Sequence, residues 1–160
     1  MKTRLLKGLV GLLFLLLAND VQAQTDQWSW VKGDTTINNH GIYGTQGIGN
    51  PLNKPGGRFR GMGSIDKSGN LWLFGGSGFG AYNTDHECLN DLWRFNSSLN
   101  QWTWMKGSYV TYSTGFYGTQ GTGSSITVPS ARYNSANWTD SSGNLWIFGG
   151  IANDNTMSFP

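Results

Sequence analysis

The sequence has a single cysteine, Cys88, two histidines, and only 12% charged residues among 160. One cysteine excludes a disulfide framework within the chain, so a small exported domain of this kind must hold together by packing. Two histidines, His40 and His86, leave little for a metal centre built on spaced ligand pairs. There is no long apolar run either. The stretch from Leu9 to Ala18 is about ten residues, half of the ~20 that a membrane-spanning helix needs. No segment carries a sustained 3.6-residue apolar period, so no helix is expected beyond the first 23 residues.

That short apolar stretch does have a reading. Lys2, Arg4 and Lys7 precede it and Val21-Gln22-Ala23 follows it, the layout of a secretory signal peptide over 1–23. The alternative is an uncleaved anchor. The expected location is secreted or cell-surface, with no stable membrane span after cleavage. The chain counts 11 Lys+Arg and 9 Asp+Glu; removing Lys2, Arg4, Lys7 and Asp20 leaves 8 and 8. The basic excess therefore belongs to the leader, and nothing points to a nucleic-acid partner.

What is abundant is glycine, 24 residues, and aromatics: 8 Trp, 8 Phe and 6 Tyr. They recur in a pattern. "QWSWVKG" at 27–33 returns as "QWTWMKG" at 101–107, "GIYGTQGIG" at 41–49 as "GFYGTQGTG" at 115–123, and "GNLWLFGG" at 69–76 as "GNLWIFGG" at 143–150. The offset is always 74, and 23 of the 50 positions from 27 to 76 are identical to their counterparts. The next ten positions share nothing, so a strict scaffold gives way to a specialised loop. A repeat of this kind signals a repeat architecture.

The unit reads as four strands, about 58–66, 70–75, 90–96 and 100–106. In the second, Leu71 and Leu73 alternate with Trp72 and Phe74, so both faces are apolar and need cover. Asp66–Asn70 and Asp140–Asn144 are hairpin turns with glycine at the left-handed position. Gly75-Gly76 and Gly149-Gly150 are expected to close the second strand where backbones approach closely.

These marks resemble the kelch-repeat family: a diglycine after an apolar strand, then an aromatic and a tryptophan with six residues between. Here they are Gly75, Gly76, Phe95 and Trp102, with Gly149 and Gly150 in the next unit; Phe95 stands where the family usually has Tyr. Pro55/Arg58 and Pro129/Arg132 also fit. The resemblance implies an all-β propeller of four-stranded antiparallel blades, like the central domain of galactose-oxidase-type enzymes. It implies one complete blade at 58–106, the start of another at 132–150, and Trp102 in a buried blade core. Residues 27–33 would be a closing strand, and the chain an N-terminal piece, 24–160, of a larger ring.

Strand polarity then puts the short turns at one end and the long connections, 34–57 and 77–89, at the other. Function is expected at the long-loop end. Tyr43 and Tyr117 recur, which suits packing anchors; the loop at 77–89 does not recur, which suits specificity. Candidate binding residues are Tyr82, Asp85, His86 and Glu87 from that loop. Arg58 and Arg132 join them as guanidiniums able to grip carboxylates, or else to bond loop carbonyls. Asp85–Cys88 lacks spaced partners, so neither metal nor cofactor is expected. Ser64–Trp72 is similar to a sialidase Asp box with one residue too many. Asn96 and Asn137 open glycosylation sequons, relevant only in a eukaryotic host.

The function expected is a non-catalytic module binding a protein or glycan. The enzyme alternative is the propeller of a copper oxidase of the galactose-oxidase type or of a sialic-acid epimerase. A surface spacer is the third. No catalytic constellation is legible in the chain.

Overall fold

A computed structural model describes residues 28–82 and 86–152. The leader at 1–23, Gln27 and Asp85 lie outside the described residues. Residues 28–30 belong to a first compact unit, Met1–Trp30; the second runs from Val31. Trp28 and Trp30 are exposed, and residues 28–33 form no strand.

Everything that follows concerns the second unit. It is all-β and antiparallel, with no helix among the described residues. Nine strands follow in order: β1 Arg58–Phe59, β2 Met62–Ile65, β3 Leu71–Gly78, β4 Glu87–Asn96, β5 Gln101–Lys106, β6 Arg132–Tyr133, β7 Ala136–Thr139, β8 Leu145–Phe148 and β9 Ile151–Ala152. The first sheet has the order β1-β3-β4-β5, with β2 also on β3. β1 and β2 are therefore one interrupted strand, and the sheet is a four-stranded meander. β4 lies inside it, and its alternate residues Leu89, Asp91, Trp93 and Phe95 are all buried.

Three boundaries differ from expectation. The first strand breaks at Arg60, whose φ of 55° is left-handed and turns the backbone out of the ladder. The second does not end at the diglycine. β3 runs on to Gly78, and between the pairs Phe74↔Leu92 and Gly76↔Leu89 the two β4 residues Asn90 and Asp91 bulge opposite the single residue Gly75. The third strand begins early, at Glu87, so Glu87 and Cys88 are strand residues and not loop.

The 74-residue repeat is stricter in the backbone than in the side chains. Arg58↔Gly78 and Phe59↔Ser77 in β1–β3 become Arg132↔Ala152 and Tyr133↔Ile151 in β6–β9, although only the arginine is the same in both. Met62↔Phe74 becomes Ala136↔Phe148. Left-handed positions match too: Asn38 with Tyr112, Arg60 with Asn134, Gly75 with Gly149. β6–β9 and β7–β8 are separate two-stranded sheets, and the first sheet meets this second repeat along β2 and β7. Ser64 Oγ bonds Thr139 Oγ1, Thr139 Oγ1 donates to the Ile65 carbonyl at 3.0 Å, and the Asn134 amide donates to the Arg60 carbonyl at 3.2 Å.

The loop at 41–54 folds over the first sheet. Gly47 N donates to the Trp104 carbonyl at 2.8 Å and Asn50 bridges Trp102, so the outer edge of β5 is covered. Tyr43 is buried against Trp93, ring centres 4.8 Å apart, and edge-on to Trp104 at 5.4 Å. Trp102 is only half-buried, because β5 is the outermost strand; the fully buried indole is Trp93.

Each hairpin turn is held by one carboxylate. Asp66 accepts from the Ser68 and Asn70 amides, the Asn70 side chain, and Trp72 Nε1 at 2.8 Å. Asp140 does the same with Ser142, Asn144 and Trp146. The Trp72 indole, ahead of the Asn70 bonds, draws Asp66 down from 3.8 to about 2, and Trp146 likewise lowers Asp140. A depressed carboxyl stabilises the fold fully above its unfolded value and ceases to do so as pH falls through the folded value. Urea midpoints are therefore expected to hold above about pH 4 and to fall toward pH 2. Asp66→Asn should flatten part of that fall; an unchanged slope would show that the turn carboxylate does not contribute.

Candidate functional site

Arg58 opens β1 and points into the sheet, not out of it. Its Nη1 and Nη2 meet Asp91 Oδ1 and Oδ2 at 2.6 and 2.8 Å. Nη1 also reaches the Gly75 carbonyl at 3.0 Å, and Nε the Gly56 carbonyl at 3.1 Å. The side chains of Arg58 and Asp91 are 6% and 0% exposed. Tyr43 Oη and Trp93 Nε1 each donate to Asp91 Oδ2 at 2.7 Å. Burial first, then the Asp91 charge, raises the Tyr43 phenol far above its ordinary value, so it stays a donor. Arg58 thus does both things its sequence position suggests, carboxylate grip and loop-carbonyl bonding, but with a partner inside the protein.

Among the described residues, Arg132 repeats the arrangement without a carboxylate. Nε donates to the Ser130 carbonyl and Nη1 to the Gly149 carbonyl, both at 3.1 Å, while Nη2 donates to Tyr117 Oη at 2.8 Å. Tyr117 is more than half exposed, unlike buried Tyr43.

The open site lies between β1, the start of β4, and β6. It is a cleft of about 470 Å³ lined by Phe59, Arg60, Ser77, His86, Glu87 and Tyr133, with buried Cys88 at its back. Arg60 is exposed, and its Cζ lies 5.6 Å from the Phe59 ring centre and 5.7 Å from that of Tyr133. Two rings flanking one guanidinium hold a cation in place while leaving its N–H donors to solvent. His86 tilts against Phe59 with ring centres 5.9 Å apart. A neighbouring cleft shares Phe59, Ser77 and His86 and continues to Ile37 and Phe79. Cation, aromatic faces and an imidazole at one mouth suit an acidic or hydroxyl-rich ligand.

Of the residues proposed from sequence, the structure brings His86 and Glu87 to this cleft. Arg58 lies behind it, engaged with Asp91. Tyr82 is elsewhere, edge-on to Tyr109 at 5.9 Å in a separate aromatic groove with Tyr43 and Trp104. Gly75, Gly76, Phe95 and Trp102 are scaffold, as are Gly149 and Gly150. Among the described residues no three His, Cys, Asp or Glu side chains cluster closely enough to hold a metal ion. Sequence reasoning missed Arg60, Phe59 and Tyr133. No sequence signal marks Arg60: the positions from 59 to 65 all differ from their counterparts at 133–139, so its replacement by Asn134 does not stand out. Asp91 has no signal either, since the sequence has no position 74 residues beyond it.

No protein-family model matches the chain, and no curated protein or solved structure does either.

Proposed function

We infer that the chain is part of a kelch-type β-propeller and acts as an exported, non-catalytic module that binds a protein or glycan at its long-loop end. The single observation carrying this is the Arg60 cleft. It collects a presented cation, two aromatic faces and His86 where the long connections meet, and ligand sites favour such convergent polar groups in an aromatic concavity. Support for the repeat class comes from the 74-residue backbone register and from the four-stranded meander with its bulge opposite Gly75.

Arg60 also carries a cost that the scaffold does not require. A left-handed backbone disfavours an ordinary L-residue by about 1–2 kcal/mol, and asparagine tolerates it better. Asn134 occupies the equivalent position at φ 60°. Arg60→Asn is therefore expected to raise stability by roughly 0.5–1 kcal/mol while removing ligand binding. The experiment is an array of neutral and acidic glycans and acidic peptides probed with the full chain, then with Arg60→Asn and His86→Ala. Loss of binding with gain of stability supports the assignment. Binding unaffected by both variants places the site elsewhere, the Tyr82–Tyr109 groove being the next place to test.

A further inference from the structure

We propose that the aromatic groove walled by Tyr82, Tyr109, Trp104 and Tyr43 is a separate binding site, one that takes neutral hexopyranose units of a glycan by stacking. It shares no lining residue with the Arg60 cleft and does not rest on the ligand assigned there.

The groove is rigidly built. Three segments meet in it: 41–44, 81–82 and the stretch from Trp104 to Tyr109. Backbone bonds pin them to one another. Gly41 N donates to the Gly80 carbonyl at 3.0 Å, and Ala81 N donates to the Tyr109 carbonyl at 2.7 Å. Ile42 and Lys54 exchange main-chain bonds at 2.9 and 3.0 Å. The rings interlock around Tyr109, whose centre lies 5.9 Å from that of Tyr82, 6.0 Å from Trp104 and 6.2 Å from Tyr43. The planes of Tyr82 and Tyr109 stand at 87°, those of Trp104 and Tyr109 at 81°. Rings packed edge to face do not hide each other's faces as stacked rings do. The cluster is also graded from inside to outside: Tyr43 is 6% exposed, Tyr109 45% and Tyr82 78%.

The repeat separates the inner rings from the outer ones. Tyr43 and Trp104 recur as Tyr117 and Trp30, whereas Thr35 and Thr156 stand at the positions corresponding to Tyr109 and Tyr82. The recurring scaffold therefore asks for the inner pair and not for the outer pair. Two large rings held at the surface by fixed backbone offer contact area at little entropic cost to a ligand.

The chemistry of the lining selects the ligand. Among the described residues no charged side chain lines the groove, so neither an anion nor a cation finds a counter-charge there. Two polar groups are already committed: Trp104 Nε1 donates to the Lys106 carbonyl at 2.8 Å, and Tyr43 Oη donates to Asp91 at 2.7 Å. What remains is the pair of phenol hydroxyls on Tyr82 and Tyr109, each able to donate and to accept. A pyranose matches this lining. Its C–H face lies against the electron-rich face of a ring, and its hydroxyls both donate and accept at the phenols. A proline-rich segment is the other neutral occupant of aromatic grooves, but its prolines offer only carbonyl acceptors, and the indole donor that would meet them is committed. The volume of about 470 Å³ falls within the range of small-ligand sites.

The experiment is calorimetric titration of the full chain with cellotetraose, maltotetraose and mannotetraose, followed by the same titrations on variants. At least one of the three is expected to bind. Tyr82→Ala should weaken that binding about tenfold and leave the urea midpoint unchanged, because the ring is exposed. Tyr82→Phe keeps the stacking face and should cost only about threefold. Arg60→Asn should have no effect, so failure of the Arg60 assignment and failure of this one are read separately. No binding of any of the three at millimolar concentration overturns the proposal, and so does equal affinity for the wild type and Tyr82→Ala. Saccharide binding lost with Arg60→Asn but kept with Tyr82→Ala moves the sugar to the cleft and refutes this site. Oligoproline binding that Tyr82→Ala abolishes, with no saccharide binding, makes the groove a peptide site and refutes it too.

Discussion

Asp91→Ala is expected to destabilise the chain by about 3–5 kcal/mol, read from urea unfolding followed by tryptophan fluorescence. Asp91 is wholly buried and receives four side-chain donors from three residues, Arg58, Tyr43 and Trp93. Removing it leaves a guanidinium buried without a counter-charge, together with a phenol and an indole N–H deprived of their acceptor. Asp91→Asn keeps the volume but not the charge and should recover only a small part. The informative control is the pair Asp91→Leu with Arg58→Met. Replacing a buried ion pair by apolar groups is often neutral, so the double variant should be more stable than Asp91→Leu alone. A loss under about 1 kcal/mol for Asp91→Ala would mean that the network is decoration on a sheet held by other contacts.

The second large effect is expected at Gly75, and it comes with an internal comparison. A Cβ at Gly75 would lie 2.6 Å from the Arg132 carbonyl oxygen and 2.9 Å from that of Leu89. Both are backbone atoms, one in the neighbouring sheet, so relief requires the sheets to part. Adding a left-handed penalty of about 1–2 kcal/mol to an overpacking cost of about 1–3 gives roughly 2–5 kcal/mol for Gly75→Ala. At Gly149 nothing lies within 4 Å of the corresponding Cβ. Gly149→Ala should therefore cost only the conformational part, about 1–2 kcal/mol. Equal costs at the two positions would show that sheet-to-sheet contact at Gly75 contributes nothing.

The sheet was legible in the sequence because two independent signals agreed: alternation within each strand and recurrence at 74. Where both spoke, as in Leu71–Phe74 and Leu145–Phe148, the strands are found. Where one was misleading, the boundary moved. The diglycine reads as a strand end because backbones approach closely there, yet β3 keeps its ladder past Gly75, with Asn90 and Asp91 of β4 bulging opposite it. The site was less legible. His86 and Glu87 stood out as polar residues in a non-recurring loop. Arg60 was hidden in a strand whose positions 59–65 all differ from 133–139, where one more difference carries no signal. Asp91 was invisible because a buried carboxylate looks the same in sequence as a solvated one. Only the fold tells that Arg58, 33 residues earlier, is its partner.

The cover over β5 also sets an order of events during synthesis. Tyr43 leaves the ribosome 48 residues ahead of Asp91, and Gly47 leaves still further ahead of its acceptor at Trp104. At about 5–20 residues per second the loop waits roughly 2–10 s for the strands it seals. During that interval Tyr43 has no sheet to lie on, and a nascent chain bearing it is a substrate for holding chaperones. The N-terminal side of the sheet is finished last although it is made first, so early truncation products should be stickier than the completed chain.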